Sequence, residues 1–451
     1  MPSQSSTLVR GTHMSALVFG QAALPEEPAA PYTSSALESY PDFHAFYDTG
    51  EHAWPGEGLY PDQLPVGKAP GVLFSYGEIV AMGDLYDTVD DMMKADAGEL
   101  ATLKSLVQRN LAYYKGMKKN DALDVGDDEW QKVTHKRYLD LAEKNYEHFS
   151  PSFLFTDAKL HASDLLGRDH RSAWHSHHAS AIAEAQRLAL DDDRRKRSSL
   201  PVLALVINAF GDHFLTDAFA SGHLLNKGEI LAYFKAKFYS SPKSLSKAGE
   251  KFFEQLADAA WKRGSVAAKF SKVQSTAWHG ADIDRPGRFA KVLKGAAEEE
   301  PDRIANFALK VLHDKLNKDG VDVENDAGNA WRLTGDGFLT DRTLGIMKLA
   351  VAQSAANIVD PSILASNLDV SRYQAKVWKY VPRLTAASRA KALALVTSWI
   401  DPASRDLLDG AAGIVERKVD LLIELTKKKH KLEAIDPAER ARDRIKEKEA
   451  A

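Results

Sequence analysis

The stretch "LPVLALVINAFGDHFLTDAFASGHLL", residues 200–225, limits the possible folds more than any other. Its opening run, 200–210, is almost wholly apolar and about half the roughly 20 residues that a membrane span needs. It therefore reads as a helix apolar on every side, which must be surrounded by other elements. The same stretch then places His213, Asp217 and His223 in apolar surroundings. Charges are costly there unless they are paired or ligated.

The rest of the chain supplies helical partners. "SYGEIVAMGDLYDTVDDMMK" opens with Ser75 and Glu78 at capping-box spacing. "ELATLKSLVQRNLAYYKGM", "THKRYLDLAEKNYEHF", "HHASAIAEAQRLALDD", "EILAYFKAKFYS", "GEKFFEQLADAAWKRG", "PDRIANFALKVLHDKLNKDG" and "RTLGIMKLAVAQSAANIVD" all read as helices, several with apolar residues at three- and four-residue steps or a closing Gly or Ser/Pro cluster. Only "VDVENDAGNAWRLTGDG" alternates around a turn, as a short hairpin does. The fold class is all-α, a multi-helix bundle with a small β-hairpin insertion. Residues 1–14 read as a vector-derived leader and 15–70, rich in Pro, Gly and aromatics, as an extended N-terminal arm. Residues 71–400 form the helical catalytic domain, and 401–451 a charged C-terminal helix with an exposed end.

Composition narrows the chemistry. With 451 residues and 44% hydrophobic content, the chain can bury a large core. The absence of cysteine excludes disulfides, thiolate metal sites and cysteine nucleophiles, so a metal site must use His, Asp, Glu, Asn or backbone groups. A formal net charge of −4 makes a nucleic-acid partner unlikely. No stretch is a transmembrane segment and no signal peptide is seen.

His213 and Asp217, four apart, share one helix face and one turn, so they can share one ion. A straight helix would rotate His223 away, but "ASG" at 220–222 can bend the chain and bring it back. For the first two residues alone, a buried His–Asp pair that merely stabilises the bundle is the preferred reading, and His223 and the further candidates shift it towards a metal site. Further candidates are Asp84 in "AMGDLY", His148 in "EHFSP", and His313 with Asn317 four residues on. Each also has a plain structural reading, as a helix cap or an end histidine. "DHRSAWHSHH", 169–178, holds the most histidines but reads as a polar helix start. Asp212 and Glu229 read as supporting or capping residues.

The pattern His213, three residues, Asp217, five residues, His223 resembles the central motif of the zinc-dependent phospholipase C family, whose all-α fold is shared with fungal zinc single-strand nucleases. Asp84 in "AMGDLY" and His148 in "HFSP" fit the family's upstream aspartate and histidine. His313 matches its downstream histidine, and Asn317 stands where the family carries an acid. The resemblance runs from about 75 to 320, with longer intervals than in compact members. It implies two or three Zn²⁺ ions: one held by Asp84, His148, His213 and Asp217, another by His223, His313 and Asn317, and a third by Asp217 with His52. His52 or His44 would replace the family's N-terminal group. Two such metals would activate water and cleave a phosphodiester, with Asp84 doubling as general base. The expected activity is phospholipase C-like cleavage of a phospholipid headgroup at a membrane surface, by a protein exported or delivered to a target cell. The alternatives are a single-strand nuclease on the same scaffold and a non-catalytic helical toxin or interaction module.

Overall fold

The computed structural model describes residues 49–116, 123–135, 137–161, 165–190, 200–364 and 368–435. His44, the leader, most of the N-terminal arm and the end of the C-terminal helix lie outside them. Within the segment expected to be extended, Thr49–Ala53 instead form a short helix, α1, with all five residues buried. Local propensity does not produce it; a side chain from elsewhere does. The Asn110 Oδ1 accepts the Gly50 N–H at 2.6 Å and the Thr49 hydroxyl at 3.1 Å. It thus satisfies a donor at the helix start that has no partner within the helix.

The capping box at Ser75 forms as expected and starts α2, Tyr76–Val80. The helical pattern beyond it breaks into a 3₁₀ turn, Ala81–Asp84, and a new helix at Val89–Lys94 that Thr88 caps. Next come α3 (Ala97–Lys115), α4 (His170–Ala189) and α5 (Val202–Asp217). The apolar run proves to be the central helix: α5 packs against α4, α2 and the later α10 (Asp341–Val359), and Asn208 through Asp217 are all buried. One carboxylate ties these layers together. Asp212 accepts from Tyr76 Oη of α2 (2.7 Å), Trp174 Nε1 of α4 (2.8 Å) and Ser354 Oγ of α10 (2.6 Å). Burial pushes its carboxyl up to about 7, while those donors favour the ionised form.

Between α5 and α10 lie α6 (Lys227–Phe238), α7 (Lys247–Lys262), α8 (Pro286–Glu299) and α9 (Pro301–Asp319). The C-terminal segment holds two helices, α11 (Arg405–Arg417) and α12 (Val419–His430). They pack on α7, α8 and α9. Their buried residues Leu407, Ala412, Val419 and Leu422 belong to the same hydrophobic core. The expected hairpin forms between Val321–Glu324 and Ala330–Leu333, and Arg383–Leu384 adds a third antiparallel strand. Three other small sheets are also antiparallel. Among the described residues, no helix is long and apolar enough to cross a membrane.

Candidate metal centre

The helix spacing puts His213 and Asp217 one turn apart at the buried end of α5, with the His213 Nε2 3.3 Å from Asp217 Oδ2. The helix then stops, and Ser221–Leu224 make a 3₁₀ turn that returns His223 to the same place. Its Nδ1 lies 3.1 Å from Asp217 Oδ1. Two close backbone approaches make this possible. A Cβ on Gly222 would fall 2.5 Å from the His313 ring, and one on Gly83 would fall 2.3 Å from the His213 ring. Gly83 thereby lets the 3₁₀ turn lie against α5 and bring Asp84 Oδ1 to 3.3 Å from His213 Nε2.

His148 enters from the 3₁₀ turn Tyr146–His148, which runs into an extended segment before Pro151. Its Nδ1 lies 3.0 Å from His213 Nε2 and 3.1 Å from Asp217 Oδ2. A buried lysine holds the chain just before it: Lys227 Nζ donates to Ala142 O (3.2 Å), Glu143 O (3.0 Å) and Asn145 Oδ1 (2.6 Å). Phe149 stacks on His223 at 4.9 Å between ring centres.

His52 arrives on α1, and its protonation state can be read from its neighbours. The Thr216 hydroxyl donates to the His213 carbonyl, so it accepts from His52 Nδ1, both at 2.7 Å. The ring proton therefore sits on Nδ1, which leaves the Nε2 lone pair facing Asp217 Oδ1 at 3.8 Å. His313 is set in the same way from the other side. Its Nδ1 lies 3.1 Å from Asp314, itself held by Lys310, and its Nε2 points inward. An imidazole with an outer carboxylate partner and an inward lone pair is arranged as metal-ligating histidines are.

The sequence reading missed one residue, Asp336. It lies in the turn "TGDG" after the hairpin, and its Oδ2 is 2.8 Å from His313 Nε2 and 3.3 Å from His223 Nε2. The expected ligand Asn317 has a different place. Its Oδ1 accepts the Gly222 N–H at 2.5 Å and the Ser221 hydroxyl at 3.2 Å, and its Nδ2 donates to Asp336 Oδ2 at 2.8 Å. The backbone N–H fixes which end of the amide is oxygen, so that oxygen is already engaged. Asn317 thus holds the Asp336 carboxylate. A signal in the sequence existed, an acid between two glycines, but turns commonly contain such acids.

Among the described residues, three buried or nearly buried groups could each hold a metal ion: His52, Asp84 and His213; His148, His213 and Asp217; His223, His313 and Asp336. The His213 Nε2 faces Asp84, His148 and Asp217 together, and one lone pair serves one ion. The first two groups therefore merge into one pocket, with His52 beside it. The second pocket shares a wall with the first, because His223 faces Asp217 with one nitrogen and Asp336 with the other. The histidine-rich start of α4 lies outside these groups: His177 stacks on Phe214 and His178 meets Asn357, both as packing residues. Glu229 accepts the Leu154 and Phe155 N–H groups, a supporting role as expected.

The donor atoms fit a cation. Both Asp217 oxygens, both His223 nitrogens and His52 Nε2 are buried without a properly directed hydrogen bond, despite short distances to one another. Lone pairs converging on a shared point produce that pattern; ordinary His–Asp pairs satisfy each other. Burial holds His52 and His213 below the usual histidine range. It opposes charge on His223 too, but Asp336 and Asp217 prevail and lift that imidazole to about 10. Burial also works against the ionised carboxyls of Asp217 and Asp336, yet the imidazoles keep both well below the ordinary carboxylate range. The chain matches no protein-family model, no curated protein and no solved structure.

Proposed function

We propose that the chain is a zinc-dependent phosphodiester hydrolase with the zinc-dependent phospholipase C fold, acting on phospholipid headgroups at a membrane surface to which it is exported or delivered. The observation that supports this most is the convergence of His52, Asp84, His148, His213, Asp217, His223 and His313 on one buried locus. Those residues were selected by the resemblance, and they come from parts of the chain up to 261 positions apart (52 to 313). A purely structural polar cluster has no reason to reproduce that selection. The ligand set, imidazole and carboxylate without thiolate, suits zinc better than Mg²⁺ or Ca²⁺.

Asp84, His148, His213 and Asp217 would hold one ion, and His223, His313 and Asp336 a second. His52 would complete a third position with Asp217. Bound zinc supplies Lewis-acid stabilisation of a phosphoryl group and a water acidic enough to attack it near neutral pH. The protein residues do the rest. Asp217 spans the two pockets and fixes their separation. Asp314 and Thr216 orient His313 and His52, and Asp84, beside His213, would accept the proton as general base.

The test is an assay on phosphatidylcholine vesicles and on single-stranded DNA, each with and without chelator. The expected result is release of phosphocholine and diacylglycerol, lost with chelator, restored by zinc and absent in His213→Ala. DNA cleavage with no lipid hydrolysis would replace the lipid reading by the nuclease one. Activity on neither substrate would leave the non-catalytic reading in its place, and unchanged activity in His213→Ala would overturn the assignment of this site.

A further inference from the structure

Glu51 and His52 are neighbours on α1, yet they serve opposite halves of the centre. His52 faces Asp217. Glu51 is 5% exposed, and its Oε1 accepts the Gly337 N–H at 2.8 Å and the Leu339 N–H at 3.2 Å. The first of those amides belongs to the residue after Asp336 and the second lies two residues further on. The turn needs such a hold, because Asp336 sits at φ +34° and Gly337 at φ +97°. A non-glycine residue in the left-handed region persists only where its surroundings fix it. Asn317 holds the Asp336 side chain, and Glu51 holds the backbone just beyond it.

We propose that Glu51 is a positioning residue for Asp336, so that docking of α1 completes both metal pockets at once: one through His52, the other through Glu51 and the 335–339 turn. The inference rests on the metal-centre reading above. It makes affinity at the His223, His313 and Asp336 pocket depend on a carboxylate that touches no ion.

The experiment is a titration of the full-length, chelator-stripped protein with Zn²⁺, counting bound equivalents, and with Co²⁺, whose absorption reports each pocket's ligand geometry. Wild type, Glu51→Ala, Glu51→Gln, Asp336→Asn and the Glu51→Ala/Asp336→Asn double variant are compared. In Glu51→Ala, one class of ion should bind about 10–100-fold more weakly, as loss of an outer partner does elsewhere. The other class should keep its affinity. Glu51→Gln, which retains an acceptor oxygen, should recover most of the loss. The double variant should be no weaker than Asp336→Asn alone, because Glu51 acts through Asp336. If Glu51→Ala does not fold, Glu51→Asp, one methylene too short to reach the turn, should show the same selective loss. Unchanged affinity for both ions, or equal weakening of both, overturns the role of Glu51. Failure of wild type to bind any ion removes the metal centre itself, and this inference with it.

Discussion

Asp217→Asn separates a metal centre from a merely structural polar cluster, because the two accounts differ in whether its effect depends on zinc. The Asp217 oxygens lie within 3.1–3.8 Å of nitrogens on His52, His148, His213 and His223. If these were structural ion pairs, removing the carboxylate would leave a buried charge uncompensated and destabilise the fold by ~3–5 kcal/mol in any buffer. In a metal centre, the carboxylate's stabilising contribution arises mainly when the ion is bound. At a zinc concentration 100-fold above Kd, each ion adds ~2.7 kcal/mol of stability. For 451 residues, an unfolding entropy of ~2.1 cal/mol/K per residue gives about 0.9 kcal/mol per kelvin if the chain melts as a unit. Two ions should then raise the wild-type melting temperature by about 6 °C. The assay is calorimetric melting of both proteins in chelator and in excess zinc. The zinc-induced rise should fall to about 3 °C in Asp217→Asn, the share of the remaining His223, His313 and Asp336 pocket, and in chelator the variant should melt within about 2 °C of wild type. Burial holds His52 and His213 below the usual histidine range, and His223, lifted to about 10, keeps Asp336 as a partner when the Asp217 charge is removed. The reasoning is refuted if zinc leaves wild type unmoved and the variant melts several degrees lower in both buffers.

Other outcomes follow from the same geometry. Asp314→Asn should weaken one class of zinc about 10–100-fold by calorimetric titration, since it removes the carboxylate behind His313 Nδ1; unchanged affinity would deny Asp314 that role. Asn317→Asp should weaken zinc binding, because it sets a second carboxylate against Asp336 in place of a donor at 2.8 Å; tighter binding would return position 317 to the ligand set. Lys227 gives a pH test. Burial lowers its ammonium from 10.5 to about 7, with Glu143 and Glu147 opposing the shift. Between those values the unfolded chain binds the extra proton. Its contribution to stability is therefore full above 10.5 and is lost as pH falls towards 7, at up to about 1.4 kcal/mol per pH unit. Denaturant unfolding at pH 7, 8 and 9 should show this upward slope in wild type and a flatter one in Lys227→Met; equal slopes would exclude the shift.

Much of the centre was legible because it rests on local geometry. The four-residue step from His213 to Asp217 is a property of any helix, and "ASG" announced the bend that returns His223. The apolar surroundings of that stretch foretold the burial of α5, and the hairpin at 321–333 formed where alternation placed it. Other features depend on contacts distant in sequence. Asp336 looks like any acid in a glycine-flanked turn, and only packing beside Asn317 and His313 reveals it. Helix α1 forms in a segment without helical periodicity because Asn110 caps it, 60 residues away from Gly50. The i+4 spacing of Asn317 from His313 was readable, but the direction of its amide is set by the Gly222 N–H. Residues 401–451 read as one charged C-terminal helix, because charge along a sequence does not show which surface a helix covers; Leu407, Ala412, Val419 and Leu422 of α11 and α12 join the core.

The most direct measurement is anomalous X-ray diffraction at the zinc edge from crystals of the full-length protein grown with zinc. The account predicts one peak enclosed by Asp84, His148, His213 and Asp217, and a second enclosed by His223, His313 and Asp336. No peak at either place, or zinc bound only at surface residues, would contradict it.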